Sequence, residues 1–369
     1  MPASMPLVSR PVPLATLWLN YKTGGMSPAT YKITNILFHV LASFMVFILL
    51  SYLCRIHASL ENNFIPLAAS LLFLVHPVHT NAINNIVQRC VPLMAFFGFL
   101  GFYAFLRFLH EDKKIYYGLA LLCLVLSVLS KAPGIAFIFI FFLYVIVFIE
   151  PKQRSKGLIA CLSLSIIPIL ILLYFYQQHF NLQYSSLNPL QYLTIETRAV
   201  WIYWKLFLVP FPLQFIYDFS IDYNVAHHFT WLAIAGHTGL IGIGIYLLRF
   251  EKYRLPGFCI LSAYLAILPE SGLFPITVPV REYRTYMAYA FLSFALCFFC
   301  NQWLRRRKVF LLCLTTLYFF GLTAATYNRN SQINTIEKWH YDVVKSYQND
   351  DLMNFYALQI LSQKEFDHD

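Results

Sequence analysis

The sequence predicts an all-α fold: a polytopic helical membrane protein with about ten transmembrane helices. Hydrophobic residues make up 59% of the 369 residues and charged residues only 12%, against roughly 45–50% and about 25% in soluble domains. The mean hydropathy is +0.60. A soluble domain must cover its surface with polar groups and could not hide so much apolar area. The 35 Phe and 25 Tyr residues also exclude a disordered chain.

Each transmembrane helix needs about 20 apolar residues to cross the roughly 30 Å hydrocarbon layer. Ten runs of this kind are present: 33–54, 65–80, 90–109, 115–130, 134–149, 157–176, 229–248, 257–269, 285–303 and 308–326. Two further apolar segments, 7–20 and 199–217, contain prolines and contain or adjoin charged residues. We expect these two to be helices that lie at the membrane interface or enter it partly.

Lysine and arginine in short loops predict the orientation, because cytoplasmic loops are enriched in them. The basic loops alternate along the chain and carry 1, 3, 3, 3 and 4 such residues: 55–64, 107–114, 150–156, 249–255 and 301–308. The densest group is the RRRK run at 305–308, directly after a predicted span. These loops are therefore predicted to be cytoplasmic, and the segments between them to lie on the opposite side.

This orientation predicts two parts, a transmembrane domain over 1–327 and an extracytoplasmic tail over 328–369. Apolar residues in the tail follow two helical stripes, like the opening of a tetratricopeptide-type hairpin. The N-terminus is placed outside although no signal peptide precedes the first span. We therefore expect an N-terminal span and an acidic loop that are missing from this chain or supplied by a partner chain.

The charge and the cysteines indicate which partners to expect. The formal net charge is +10, but the basic residues are spread over loops, so membrane lipids are the predicted anionic partners and nucleic acid is not. The eight cysteines mostly lie in apolar runs, including Cys297 and Cys300, whose spacing places them on one helix face. They predict side-chain packing, with no disulfide framework and no metal cluster.

Polar residues at membrane depth are costly, which makes them functional candidates. Nearly all fall on the predicted non-cytoplasmic side: Arg10, Asn35, His39, His76, His79, Asn81, Arg89, Lys131, Asp218, Glu282, Arg284 and Tyr286. Arginine and lysine bind phosphate groups, and a carboxylate can accept the proton of an attacking hydroxyl. The pattern predicts a site for a phosphate-bearing lipid, with Glu282 and Asp218 as candidate catalytic carboxylates.

Each of these residues also has a structural interpretation. His39 could be a core histidine bonded to a neighbour, and His76 with His79 lacks a third metal ligand at a suitable spacing. Arg10 and Arg284 could reach toward lipid headgroups. Glu282 could form an ion pair with an adjacent arginine.

Six motifs occur in a characteristic order: SRPVPLATLWLNYKTGG, TNILFH, HPVHTNAINNIVQR, LSK, YWKLFLVPFPLQFIYD and LPESGLFPITVPVREYRTY. In this order the chain resembles GT-C membrane glycosyltransferases, in particular the tetratricopeptide-linked transmembrane protein O-mannosyltransferases and their bacterial relatives. The resemblance spans roughly residues 8–340. It implies a polyprenyl- or dolichyl-phosphate-linked sugar as donor, a protein hydroxyl as acceptor, transfer on the non-cytoplasmic face and no other cofactor.

The resemblance assigns substrate binding to matching positions: Arg10, Asn35, His39, His76, Arg89, Lys131, Tyr203, Arg284 and Tyr286. The chain departs from the family at acidic positions, where it has Asn81, Val91 and Ala132. The acid treated as the family's catalytic base lies upstream of the Arg-Pro motif, and the nine residues before Arg10 contain no Asp or Glu.

Two functions remain open at this point. The chain is either a glycosyltransferase or a catalytically degenerate relative that serves as a scaffold or accessory subunit of a membrane complex. A transporter is less favoured, because the two halves show no inverted repeat. The absence of an N-x-S/T sequon favours a bacterial cytoplasmic membrane, with the endoplasmic reticulum as the alternative.

Overall fold

The computed structural model describes residues 10–57, 63–179, 188–214, 217, 228–272, 280–303 and 307–332. Within these ranges the regular structure is entirely helical, so the prediction of an all-α fold is confirmed. The α-helices, numbered α1 to α13 in chain order, are Pro11–Gly24, Pro28–His57, Phe64–Val75, Thr80–Asn84, Cys90–Glu111, Lys114–Ser130, Ala136–Phe148, Pro151–His179, Pro189–Leu208, His228–Leu247, Glu251–Ile267, Tyr286–Trp303 and Lys308–Gln332. Short 3-10 turns lie at Pro77–His79, Ile86–Arg89, Ala132–Ile135 and Glu282–Thr285.

All ten predicted apolar runs coincide with helices, but ten membrane crossings are not confirmed. Among the described residues, four helices are long and apolar enough to cross a bilayer: Pro28–His57, Ile86–Glu111, Pro151–Phe175 and Phe229–Leu247. A fifth candidate is the pair Phe64–Val75 and Pro77–Asn84, which is bent by 45°. Several of the other helices are short, such as α7 with 13 residues.

The bend after α3 divides the predicted span 65–80 at a proline. Pro77 disfavours helical backbone at the residue before it, and His76 is accordingly extended, with φ −68° and ψ 121°. The chain then continues as a 3-10 turn and the short helix α4. The imidazoles of His76 and His79 therefore enter the interior of the bundle, where both side chains are buried.

The two segments predicted to be interfacial also contain helices. The 7–20 segment contributes to α1, and the 199–217 segment begins inside α9. Helix α9 starts earlier than the apolar pattern suggested, at a capping box in which Asn188 and Gln191 bond each other's backbone N–H groups. It ends at Leu208, shortly before Pro210, which cannot continue the hydrogen-bond ladder.

The core lies between α2, α3, α5, α7, α11 and α12, and aromatic side chains fill much of it. Phe105 and Phe141 stack with ring centroids 4.5 Å apart. Helices α5 and α7 approach closely at Gly98, where a Cβ atom would lie 1.8 Å from the Phe137 ring. Helices α8 and α10 instead present apolar side chains such as Leu170 and Leu232 outward, as helices surrounded by lipid do.

Contacts between helix ends define two ends of the bundle. The 3-10 turns at 77–79 and 282–285 contact each other, and with the residues around them they form what we call the polar end. Two of the predicted cytoplasmic loops, 107–114 and 150–156, contact each other at the opposite, basic end, where Lys156 bonds Asp112 at 2.6 Å. Residues 333–369, which carry most of the predicted tail, lie outside the described residues.

Candidate functional site

Arg89 is fully buried at the polar end and is held entirely by neutral acceptors. Its Nε donates to Asn35 Oδ1 at 2.8 Å and its Nη2 donates to the Tyr31 carbonyl at 3.1 Å. Its Nη1 donates to Asn20 Oδ1 at 2.5 Å and to Thr16 Oγ1 at 3.4 Å. The side chain thus connects α1 and α2 to the turn before α5, and its donors are already engaged within the protein.

The predicted histidines form a buried cluster beside Arg89. His39 Nδ1 lies 2.6 Å from Tyr286 Oη and its Nε2 lies 2.9 Å from the Leu74 carbonyl oxygen, so both nitrogens are engaged. His76 Nε2 lies 3.1 Å from the Phe207 carbonyl oxygen. The ring nitrogens of His79 have no hydrogen-bond partner among the described residues. His39 is therefore a buried histidine bonded to its neighbours.

No group of three His, Cys, Asp or Glu residues in the described part of the chain could hold a metal ion. The histidine cluster illustrates why. The His79 ring lies 5.6 Å from that of His39 and 5.8 Å from that of His76, centroid to centroid. The nitrogens of these two neighbours are directed at other protein groups.

Lys131 forms an ion pair that the sequence did not indicate. Its Nζ lies 2.7 Å from Glu270 Oε1, with the two side chains 6% and 13% exposed. The same ammonium lies over the Tyr283 ring, 4.4 Å from the centroid. Lys131 is therefore paired with a carboxylate and also contacts the turn that contains Glu282.

Arg284 pairs with Glu196 of α9 in the most buried ion pair of the described region. The Nη1 to Oε1 distance is 3.3 Å, and the two side chains are 1% and 0% exposed. Burial raises the pKa of the Glu196 carboxyl to about 7, although the neighbouring guanidinium opposes this shift. Tyr192 adds a bridge, because it accepts from Arg284 at 3.4 Å and donates to the Glu270 carbonyl at 2.8 Å.

Glu282, the first candidate catalytic carboxylate, holds the chain that follows α9. Its Oε1 accepts from the Gln214 backbone N–H at 2.9 Å and from the Tyr217 hydroxyl at 2.7 Å. The Glu282 side chain is fully buried. Asp218, the second candidate, is outside the described residues.

The 281–289 segment is the centre of this arrangement. The Arg281 N–H donates to Tyr203 Oη at 3.1 Å, and Tyr289 Oη donates to the Tyr203 carbonyl at 2.7 Å. The other contacts of the segment, described above, reach Lys131, α9, the chain after α9 and His39. One nine-residue segment therefore connects most of the residues predicted from the motifs.

The remaining sequence-predicted positions lie near the same end. Arg10 is half-buried, and its Nη1 is 3.5 Å from Cys90 Sγ, directly beside Arg89 in the chain. Asn81 is buried and its Nδ2 has no hydrogen-bond partner among the described residues. Val91 is buried and Ala132 is half-buried. At these three positions, where the family usually has acids, the chain has only neutral side chains.

Sequence reasoning missed the residues that complete these contacts, namely Asn20, Tyr192, Glu196, Tyr217 and Glu270. Of these five residues, Glu196 could have been found in the sequence, because it is a carboxylate one helical turn before the apolar residues of an amphipathic segment. It lies outside the 199–217 range, so the predicted site did not include it.

Comparison with known proteins gives a partial match. The chain is 35% identical over 130 residues to "Protein O-mannosyl-transferase F38B6.6" of Caenorhabditis elegans, which covers 34% of this chain and 17% of that protein. It is 30% identical over 129 residues to "Protein O-mannosyl-transferase TMTC3" of Homo sapiens, or 34% of this chain and 13% of that protein. With "Protein O-mannosyl-transferase Tmtc1" of Drosophila melanogaster the identity is 38% over 80 residues, covering 22% of this chain and 9% of that protein.

No family model and no solved structure matches the chain. The curated relatives are all several times longer than the matched stretch, so the match concerns only a small part of each. Over about a third of its length this chain is nevertheless similar to protein O-mannosyl-transferases, which confirms the resemblance predicted from the ordered motifs.

Proposed function

We propose that the protein is an integral membrane glycosyltransferase that transfers a sugar from a polyprenyl- or dolichyl-phosphate donor to a protein hydroxyl. The observation that carries this proposal is the convergence of five distant segments at the polar end of an apolar helical bundle. Asn35, Arg89, Lys131, Glu196 and Glu282 represent these segments, and each is buried or nearly so. The names of the relatives support mannose as the sugar.

The proposed reaction requires a cation for the phosphate and a base for the acceptor. The bond between the sugar C1 and the phosphate oxygen breaks, a bond from C1 to the acceptor oxygen forms, and the lipid phosphate leaves. The hydroxyl proton passes to a carboxylate. Arg10 is the candidate cation with the weakest internal contact, a single sulfur at 3.5 Å, and Glu282 and Asp218 are the candidate bases.

The predicted orientation places this end on the non-cytoplasmic face. Two of the basic loops contact each other at the other end of the bundle, through Lys156 and Asp112, which supports that assignment. The animal origin of the relatives favours the endoplasmic reticulum over the bacterial cytoplasmic membrane as the location.

The test is a transfer assay with the full chain in membranes, a mannosyl-phosphate lipid and an acceptor peptide. We expect transfer to fall about 10²-fold or more in Glu282→Gln, because loss of a positioned acid-base group costs roughly 10²–10⁴-fold. In Arg10→Ala it should fall at least about tenfold, because the lipid phosphate loses a charged hydrogen-bond donor. Lys156→Ala, at the basic end, is the matched control and should keep full activity. Absence of transfer by the membrane-embedded chain, with and without co-purifying proteins, would contradict the proposal.

A second function, a non-catalytic subunit, is favoured by a specific observation. Arg89, Lys131, Arg284 and Glu282 are all bonded within the protein, and three family acids are replaced by Asn81, Val91 and Ala132. A scaffold predicts a stoichiometric partner after purification in mild detergent. A catalytically active chain that runs alone on size-exclusion chromatography would exclude it.

A further inference from the structure

We propose that Lys131 binds the phosphate group of a lipid, and that the Glu270 carboxylate occupies this binding position until the phosphate displaces it. The inference rests on the proposed function for the identity of the lipid, which is then the polyprenyl- or dolichyl-phosphate-linked donor. Neither the predicted site nor the proposed reaction gives Glu270 a role.

The ion pair of Lys131 with Glu270 is the less buried of the two pairs described at the polar end. Its side chains are 6% and 13% exposed, against 1% and 0% for Arg284 and Glu196. Separation of the deeper pair would leave two ions without water, which is strongly unfavourable. Glu270 already reaches the accessible surface, so its carboxylate can be hydrated when it leaves Lys131.

The Lys131 ammonium has unused capacity to bind an anion. An ammonium has three N–H donors, and Glu270 Oε1, 2.7 Å from Nζ, is its only hydrogen-bond acceptor among the described residues. The Tyr283 ring, whose centroid is 4.4 Å from Nζ, stabilises the positive charge whichever anion is present. A phosphate group has several oxygens and can accept from the donors that the carboxylate leaves unused.

The exchange requires movement of the two side chains only. The Lys131 backbone N–H donates to the Ser127 carbonyl at 3.0 Å. The Glu270 backbone N–H donates to the Ile267 carbonyl at 3.0 Å, and the Glu270 carbonyl accepts from the Tyr192 hydroxyl at 2.8 Å. Both backbones are therefore fixed by bonds that do not involve the ion pair, and the helices can stay in place when it opens.

The charge balance and the surrounding surface favour a lipid as the source of the phosphate. The phosphate diester of a lipid-linked sugar carries one negative charge, as the Glu270 carboxylate does, so the exchange leaves no unpaired ammonium in a poorly hydrated position. Leu268, two residues before Glu270, is 49% exposed, and Leu190, two residues before Tyr192, is 65% exposed. Exposed leucines beside a paired cation suit an amphiphile whose phosphate binds Lys131 and whose chain lies along the apolar surface.

The test is the affinity of the full chain for dolichyl phosphate, measured in nanodiscs of a neutral phospholipid. We expect Glu270→Gln to bind dolichyl phosphate about tenfold more tightly than the unmutated chain, because removal of a competing state raises the apparent affinity. Asp112→Asn, which removes one carboxylate from the exposed pair at the basic end, is the matched control and should leave the affinity unchanged. Equal or weaker binding by folded Glu270→Gln would overturn the proposal.

A double variant assigns the phosphate to Lys131. Lys131→Gln with Glu270→Gln removes both charges, so neither ion is left unpaired. It should bind dolichyl phosphate at least about tenfold more weakly than Glu270→Gln, because the phosphate loses its charged donor. The same affinity in both variants would contradict the assignment.

The unmutated chain provides a measurement that does not depend on the folding of any variant. Carbodiimide-driven amine labelling of Glu270, read by mass spectrometry, should increase when dolichyl phosphate is added, because the carboxylate is released from Lys131. Unchanged labelling at a saturating concentration of the lipid would contradict the displacement.

Two further comparisons identify the source of the phosphate and separate this inference from the proposed function. Tighter binding by Glu270→Gln of dolichyl phosphate but not of phosphatidic acid supports the donor as the ligand, and tighter binding of both supports a site for lipid phosphates in general. Binding needs no sugar transfer. Tightened binding without transfer would contradict the proposed function alone, and transfer with an affinity that Glu270→Gln does not change would contradict this inference alone.

Discussion

The ion pairs at the two ends of the bundle differ in how far their side chains are exposed. At the polar end the Arg284–Glu196 side chains are 1% and 0% exposed, whereas at the basic end the Lys156–Asp112 side chains are 50% and 74% exposed. Arg107 and Glu111 form a further pair near the basic end, about a quarter exposed. Buried ions require nearly ideal partners because their desolvation is expensive, while exposed pairs contribute little. Precise positioning is therefore concentrated at the polar end.

The largest effect should come from Arg284→Ala, which leaves Glu196 buried without its cation. We expect a loss of about 3–5 kcal/mol of stability, the usual cost of removing one partner of a buried pair. Thermal unfolding in detergent would measure it. Burial already raises the pKa of Glu196 from its ordinary 4.5 to about 7, and removal of Arg284 should raise it further. The folded mutant then keeps a proton that the unfolded chain loses, so its stability should fall as pH rises from about 4.5 through 7.

The matched control for that change is the double variant Arg284→Gln with Glu196→Gln, which removes both charges. It should recover part of the lost stability and abolish this pH dependence, because no carboxyl remains at position 196. A double variant as unstable as Arg284→Ala would show that the comparison between the two ends does not rest on charge burial.

Arg89→Lys should have the next largest effect, a loss of about 2–3 kcal/mol. A lysine keeps the charge, but its compact ammonium cannot reach the acceptors on Asn20, Asn35 and Tyr31 together. Buried acceptors that lose a charged donor cost roughly 1–3 kcal/mol each. Protease accessibility of α1 in membranes would report the loosened helix, and an unchanged cleavage pattern would contradict this interpretation.

A smaller effect is expected from Tyr144→Phe near the basic end. The Tyr144 hydroxyl lies 2.8 Å from His57 Nε2 and 2.9 Å from His110 Nε2. Both imidazoles are partly exposed and can bond water once the hydroxyl is absent, so the loss should be about 1 kcal/mol. The measurement is the unfolding midpoint in detergent, and a loss as large as that of Arg89→Lys would contradict the contrast between the ends.

The smallest effect should come from Lys156→Ala, within about 0.5 kcal/mol of the unmutated protein, since exposed pairs of this kind contribute little. The distance from Lys156 Nζ to Asp112 Oδ1 is short, 2.6 Å. This variant therefore tests whether a short distance between two exposed charges contributes to the free energy of unfolding. A shift in midpoint comparable to that of Arg284→Ala would show that exposure is a poor guide in this protein.

The helices could be predicted from the sequence because each apolar run is long enough to indicate a helix without information from the rest of the chain. The approach of His39 to Tyr286 was predicted only through the motif order. The partners were not predictable: Glu270 lies 139 residues from Lys131 and Glu196 lies 88 residues from Arg284. Such pairs depend on how helices dock, and neither a charge pattern nor a periodicity within one helix contains that information.

The bend at His76 shows a further difference between pattern and structure. The apolar run from 65 to 80 looks like one span, yet Pro77 divides it, and the carbonyl of Val75 is bonded by the Thr326 hydroxyl of α13 at 2.9 Å. The proline was visible in the sequence. Its effect on the direction of the chain depended on a helix about 250 residues further on.

The neutral surroundings of Arg89 have an electrostatic consequence. Amides, a hydroxyl and a carbonyl solvate a guanidinium but do not cancel its charge, and arginine stays protonated in proteins. A full positive charge therefore remains inside an apolar bundle, where the field of an ion at a given distance is far stronger than in water. Anions in the adjacent bilayer surface would be drawn toward this region before touching any side chain, and mobile cations would be kept away.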